Sequence, residues 1–529
     1  MLAPILAIAA VALPGPDIAP LAPKPRATLN LKNPDDAAQL RARWRTADAH
    51  LADATLPAPD ASGAPTGQPV ATLAVHPRPG TPDFDSAEWR DLAPDALETR
   101  LGAGRTSFLW YRLSLTIPDR IAGHDAAGST LVLNLRVDDY AEVWIGGTLP
   151  YHFAQPGGTV VAGWNAPNRV VLTPDAQPGD SLDIAIFAAN GPISESPANW
   201  IWIREASLEM HANPRPITPE PVSAEIIRFD PRADEIIPRD APVERVATGF
   251  VFTEGPVWDT RDASLLFSDP NENTIYRYRP SGTLDVLMRP SGYGGADVAE
   301  YRQPGSNGLT FDAQGRLTIN QHGNRRVVRL EPDGSLTTLA DRFRAQRLNS
   351  PNDLVYRSDG ALYFTDPPFG LPLAYDDPRK ETPHSGVYRL DRRGLHLLTT
   401  ELKGPNGIAL NHKETHLYVG DWDESHKAVV RYKILPDASL APGETFCDLT
   451  NEPGDEAIDG VKVDAKGNVF VCGPGGLWLF SPEGDRLALL KNPESPHNIA
   501  FGGADAHDLY MTCHTGIYRV RLNIPGPTP

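Results

Sequence analysis

The sequence predicts an all-β protein: a jelly-roll-like β-sandwich followed by a six-bladed β-propeller. The propeller rests on a pattern that recurs six times between residues 254 and 497, a polar lead residue, then Gly, Asp or Asn, then a short strand-like run. The copies are Glu254-Gly-Pro-Val-Trp, Asn307-Gly-Leu-Thr-Phe, Asn352-Asp-Leu-Val-Tyr, Asn406-Gly-Ile-Ala-Leu, Asp459-Gly-Val-Lys-Val and His497-Asn-Ile-Ala-Phe. Their lead residues stand 53, 45, 54, 53 and 38 positions apart, the spacing of propeller blades around a channel. The sandwich rests on a second pattern, alternating apolar and polar runs separated by turn residues between positions 108 and 208. The 53 prolines suit many short strands better than long helices.

Met1–Leu13 is almost wholly apolar, and Ala10-Val11-Ala12 offers a small-residue cleavage site, although no positive charge precedes Lys24. We therefore expect an atypical export signal within residues 1–20 and a periplasmic or secreted protein. Residues 21–100, rich in Pro, Ala and Asp, are expected to form a linker and the first edge elements. The sandwich is expected over 101–211, with strands at Phe108–Ile117, Thr130–Val137, Ala141–Ile145, Arg169–Leu172, Ser181–Phe187 and Asn199–Leu208. Prolines at 214, 216, 219 and 221 make 212–223 the expected linker.

From 224 to 524 each repeat adds further strands. Second strands are Leu265–Asp269, Leu317–Gln321, Leu362–Asp366, Leu417–Asp421, Val469–Gly473 and Leu509–Cys513; third strands include Thr274–Tyr278, Gly386–Leu390 and Gly516–Val520. The chain ends soon after the last of these, one strand short. Val243–Thr248, just ahead of the first blade, is expected to supply it and to remove an exposed edge.

Composition narrows function. A formal net charge of −18 argues against nucleic-acid binding, where a basic stripe is expected, and no apolar run is long enough to span a bilayer. Three cysteines, Cys447, Cys472 and Cys513, give no disulfide framework and read as buried small side chains.

If the repeats are innermost strands, their lead residues converge at one mouth of the channel. Glu254 and Asp459 supply two carboxylates, and Asn352 and Asn406 two amide oxygens, a set suited to a hard divalent cation such as Ca2+, with Zn2+, Mn2+ or Mg2+ as substitutes. Four ligands leave positions for water and substrate. Taken singly, Asn or Asp before Gly is ordinary turn chemistry; Glu254 has no such rationale, and the shared register argues against coincidence. Asn307 and His497 share the register and are expected to face substrate or support the ligands. Asp269, Asp366, Asp421 and Trp422, at the ends of second strands, form a further ring; Asp421 and Trp422 have the stronger claim on substrate, since an indole offers a flat face to a sugar.

Phe252-Thr-Glu-Gly-Pro-Val-Trp258, Ser350-Pro-Asn-Asp-Leu354, Tyr363-Phe-Thr-Asp-Pro-Pro-Phe-Gly370, Gly404-Pro-Asn-Gly-Ile408 and Ile458-Asp-Gly-Val461 together resemble the motifs of the gluconolactonase/regucalcin family (senescence marker protein-like), over residues 240–522. The resemblance implies a six-bladed propeller that hydrolyses sugar lactones with a divalent cation. The family's metal-binding Glu, two Asn and Asp fall on Glu254, Asn352, Asn406 and Asp459. One departure is Ser350, which stands where regucalcin-like members carry an arginine for sugar hydroxyls. The proton acceptor for the attacking water is Asp459 by the family's pattern, or His322, whose near-neutral pKa suits it.

The N-terminal sandwich resembles, in pattern only, galactose-binding-like jelly rolls. Its Trp144, Trp164, Trp200 and Trp202 could stack on glycan, although Trp200 and Trp202 share one strand face and are expected in the core. Two other readings stay open: a non-catalytic, calcium-stabilised carbohydrate-binding protein, and a phosphotriesterase-like hydrolase.

Overall fold

The computed structural model describes residues 25–58, 68–149, 168–173, 175–191, 198–212, 214–295, 297–454 and 456–527. The expected signal segment and Trp164 lie outside the described residues. The described residues divide into two compact units, one within 25–215 with 247–251, the other within 216–246 and 252–527.

The first unit is a sandwich of two five-stranded sheets. One runs Ala27–Asn30, Asn199–His211, Thr130–Asp138, Asn168–Thr173, with Leu101–Gly104 also on Asn199–His211; the other runs Tyr140–Ile145, Ser181–Asn190, Ser107–Thr116, Arg43–Asp48, Arg90–Leu92. Residues before 100 therefore supply strands to both sheets, where the sequence suggested mostly linker. These strands are short and their polar residues face outward, so the composition hid them. Alternation sets the core: in Asn199–His211, Ile201 and Ile203 are fully buried while Trp200 is 37% exposed. The expectation that Trp200 and Trp202 pack in the core is thus reversed, because the isoleucines occupy the inward face; Arg100 lies over the Trp202 ring. Trp144 is buried, edge-on to Trp110.

The second unit contains six four- or five-stranded antiparallel sheets, the blades of a propeller. Their innermost strands are Glu254–Asp259, Ser306–Phe311, Leu354–Tyr356, Pro405–Leu410, Val461–Val463 and Asn498–Gly502, each hydrogen-bonded to the second strand that follows it. Innermost strands touch in cyclic order, and the sixth closes on the first. Second strands such as Ser264–Asp269 and Val469–Gly473 are buried along their whole length. Lying between two neighbouring blades, they are apolar on both faces and rich in Leu, Val and Phe.

Val243–Thr248 pairs with Gly516–Arg521 and completes the sixth blade, joining both ends of the propeller in one sheet. Two outer strands were not foreseen. Arg215–Pro221 flanks Val243–Thr248, and Glu225–Arg228 flanks Arg486–Lys491 of the fifth blade. The proline-rich segment read as a linker is therefore an edge strand, the one sheet position where missing N–H groups cost little.

The inner strands approach closely at their first residues. The amides of Gly308, Gly407 and Gly460 donate to the carbonyls of Asn352, Asp459 and His497 on the next blade at 2.8, 3.1 and 2.8 Å. A Cβ on Gly407 would stand 2.3 Å from the Asp459 carbonyl oxygen, and one on Gly255 (φ +53°) only 1.9 Å from that of Asn307. Gly407→Ala is expected to force these blades apart and cost at least about 2 kcal/mol. Urea denaturation monitored by tryptophan fluorescence measures it, and an unchanged midpoint would contradict the packing described.

Candidate functional site

Each lead residue is held through its backbone, which frees its side chain for the channel. The amides of Asn352, Asp459 and His497 donate to the carbonyls of Thr365, Cys472 and Thr512 at 2.8, 2.9 and 2.8 Å. Hydroxyls on second strands hold the carbonyls: Ser268 Oγ donates to Asn307 and Thr365 Oγ1 to Asn406, both at 2.8 Å. Small hydroxyl residues at these strand ends leave the space the ring needs.

Glu254, Asn352, Asn406 and Asp459 are all buried. The structure brings the two carboxylates together: Asp459 lies against Glu254 and Asn406, and the Asp353 charge acts on both acids. Burial is the largest cause raising the pKa of each; the Glu254 charge raises Asp459 further, while hydrogen bonds from Gly255, Asn498 and Asp459 hold the Glu254 carboxyl partly back down. Asp459 Oδ1, Asn406 Oδ1 and Asn307 Oδ1 are buried without a hydrogen-bond partner. Unpartnered buried oxygens beside repelling carboxylates are what a cation-binding site presents before the cation is added. Among the described residues no cluster of three or more His, Cys, Asp or Glu is arranged to hold a metal ion. The set here draws on amide oxygens instead, and two carboxylates with two carboxamides fit a hard divalent ion.

His322 is fully buried, and burial lowers its pKa to about 3, so its ring is neutral. Its Nε2 lies 3.4 Å from Asn352 Nδ2. A neutral ring accepting there engages the amide nitrogen and leaves Asn352 Oδ1 for the channel. His497 is buried too, its pKa lowered to about 3, first by burial and then by His514. Its Nδ1 is 3.2 Å from the Thr253 carbonyl and its ring stacks on Phe252 at 4.1 Å, tying the sixth blade to the first.

Asp421 is engaged from below: its carboxylate accepts from the amides of Gly404 at 2.7 Å and Lys403 at 3.3 Å, two and three residues ahead of Asn406. That occupation fixes the entry to the fourth inner strand. Asp269 and Asp366 likewise accept backbone amides, from Glu272 at 3.1 Å and Asn349 at 2.8 Å. Trp422 is half-buried, edge-on to Phe369. Ser350, at the family's arginine position, donates to the Pro367 carbonyl at 2.6 Å and accepts from Gly370 N at 2.8 Å, and so pins the loop carrying Phe369. All three cysteines are buried and unpaired.

Sequence reasoning missed Asp353, Asn498 and Lys462. Asp353 Oδ2 accepts from Lys462 Nζ at 2.9 Å and Asn498 Nδ2 at 3.4 Å, and Asn498 Nδ2 also reaches Glu254 Oε2 at 3.2 Å. A signal existed. In four repeats glycine follows the lead residue; Asp353 and Asn498 are the two that break the rule.

The family model described as SMP-30/gluconolactonase/LRE-like region matches residues 252–515, inside the propeller. The gluconolactonase of Zymomonas mobilis is 33% identical over 309 residues, covering 57% of this chain and 87% of that protein. The chain belongs to the SMP-30/gluconolactonase family. The pentonolactonase XacC of Haloferax volcanii is 25% identical over 274 residues, covering 50% of this chain and 81% of that protein. Among solved structures, a gluconolactonase from Xanthomonas campestris aligns with a TM-score of 0.51 at 28% identity, over 58% of this chain and 98% of its own. Family membership thus concerns the propeller, which carries Glu254, Asn352, Asn406 and Asp459.

Removing one of two repelling buried carboxylates is expected to stabilise the chelated protein. Asp459→Asn should raise its stability by roughly 1–2 kcal/mol, while abolishing the gain wild type shows when calcium is added. Thermal melts in chelator and in calcium measure both; a destabilised variant in chelator would contradict the repulsion.

Proposed function

We propose that this protein is a divalent-cation-dependent hydrolase that opens a sugar lactone or related ester. The observation that carries the reading is that Asp459 meets Glu254 and Asn406, with unpartnered oxygens on Asn406 and Asp459 and Asn352 buried at the matching place of its own blade, in a family whose curated relatives are lactonases. A gluconolactonase-like carboxylic ester hydrolase is the class these relatives support.

Glu254 and Asp459 would hold the cation through charge, and Asn352 and Asn406 through neutral oxygens that leave it electrophilic. A cation bound there supplies Lewis acidity toward the lactone carbonyl and the oxyanion formed on water attack. Asp459 is our choice of proton acceptor: its Oδ1 is buried without a hydrogen-bond partner and stands beside the other proposed ligands. The water oxygen bonds to the carbonyl carbon and its proton passes to Asp459. When the ring C–O bond breaks, that proton goes to the departing oxygen, giving a hydroxy acid. His322 serves better as the group that orients Asn352 than as the base, since burial keeps its ring a weak proton acceptor. Phe369 and Trp422, with Ser350 in place of an arginine, favour a substrate met by an apolar face. Calcium as the natural ion and export to the periplasm or beyond belong to this proposal. Among the described residues no helix is long and apolar enough to cross a membrane.

Asn406→Ala, or wild type in chelator, is expected to lose lactone hydrolysis by at least about a hundredfold while keeping the wild-type circular dichroism spectrum. A panel of aldonolactones, aryl esters and phosphotriesters assayed with and without calcium decides. Full turnover in chelator would refute the metal-dependent mechanism. Preference for the phosphotriester would favour the other hydrolase, and no turnover on any substrate a non-catalytic protein.

A further inference from the structure

Glu254, Asp459 and Asp353 interact across the propeller channel, and a single divalent ion would compensate two of the three. Asp353 is the third. It is 2% exposed and lies in the third blade, yet its carboxylate gathers donors from three others. Oδ2 accepts from Lys462 Nζ of the fifth blade at 2.9 Å, Asn498 Nδ2 of the sixth at 3.4 Å and Ile408 N of the fourth at 3.4 Å, while Oδ1 accepts from its own neighbour, Leu354 N, at 2.9 Å. The partners of the Glu254–Asp459 pair are a backbone amide, from Gly255 to Glu254, and carboxamides, from Asn498 and Asn406. Charge compensation in the channel is therefore uneven.

Lys462 reaches this position by strand register. Val461 and Val463 are buried against the blade, so the residue between them faces the other way, and its long stem carries the ammonium across to Asp353. A buried carboxylate without a cation is costly, and an ammonium on a four-carbon stem supplies one without recruiting a solute. Asn498 then links the two systems, its Nδ2 shared between Glu254 Oε2 and Asp353 Oδ2.

We infer that Lys462 is the channel's built-in cation: its ammonium neutralises Asp353, leaves Glu254 and Asp459 as the uncompensated pair, and so limits the channel to one divalent ion. The inference rests on the metal reading proposed above. Lys462 and Asp353 act here as positioning residues for charge, away from the reacting atoms.

The test uses the full-length protein and calcium or manganese alone, with stoichiometry from elemental analysis and affinity from titration calorimetry. Wild type is expected to bind one ion per chain. Lys462→Met is expected to bind two, the second more weakly and displaced in the K462M/D353N double variant. Should K462M fail to fold, Asp353→Asn decides: with Lys462 left uncompensated, ion affinity should fall by roughly tenfold or more. One ion in K462M, or unchanged affinity in D353N, overturns the inference while the metal reading stands. No ion bound by wild type overturns both.

Discussion

The structure depends on how closely six inner strands meet at their first residues. Backbone amide meets backbone carbonyl from blade to blade at Gly308, Gly407 and Gly460, and Gly255 packs against the Asn307 carbonyl where no side chain fits. That contact converts a sequence repeat into a ring. It also fixes the lead side chains, because residues whose amides and carbonyls are spent on neighbouring strands have only χ angles left to vary. Ser268 and Thr365 contribute through the same carbonyls. The site is thus a by-product of blade closure, held by backbone hydrogen bonds within and between neighbouring blades.

The electrostatic consequence is an arrangement that disfavours its own charge. Glu254 and Asp459 are buried, adjacent and raised in pKa, a configuration that costs stability and that proteins keep where chemistry needs it. His322 works in the opposite sense. Deprived of water, its ring stays neutral and orients an amide. Asp353 escapes the conflict through Lys462. Carboxylates of the same channel therefore have different partners: Asp353 an ammonium, Glu254 and Asp459 amides.

Much of this was legible in the sequence, for physical reasons. Turn residues ahead of short apolar runs gave the inner strands and their order, and the missing last strand pointed to Val243–Thr248. Glu254 stood out because no turn requires it. The outer strands Arg215–Pro221 and Glu225–Arg228 were hidden, since an edge strand tolerates proline and carries no strong alternation. Trp200 and Trp202 misled because hydrophobic character alone does not say which strand face is inward; Ile201 and Ile203 decided it. Lys462 carries no local signal, because its partner Asp353 stands 109 residues away in sequence.

One divalent ion among Glu254, Asn352, Asn406 and Asp459 is what the proposed function requires. Anomalous diffraction from a manganese-soaked crystal tests it most directly. The account predicts a single strong peak within about 2.0–2.6 Å of oxygens from all four side chains. A map with no peak there, or with its peak on other residues, would contradict it.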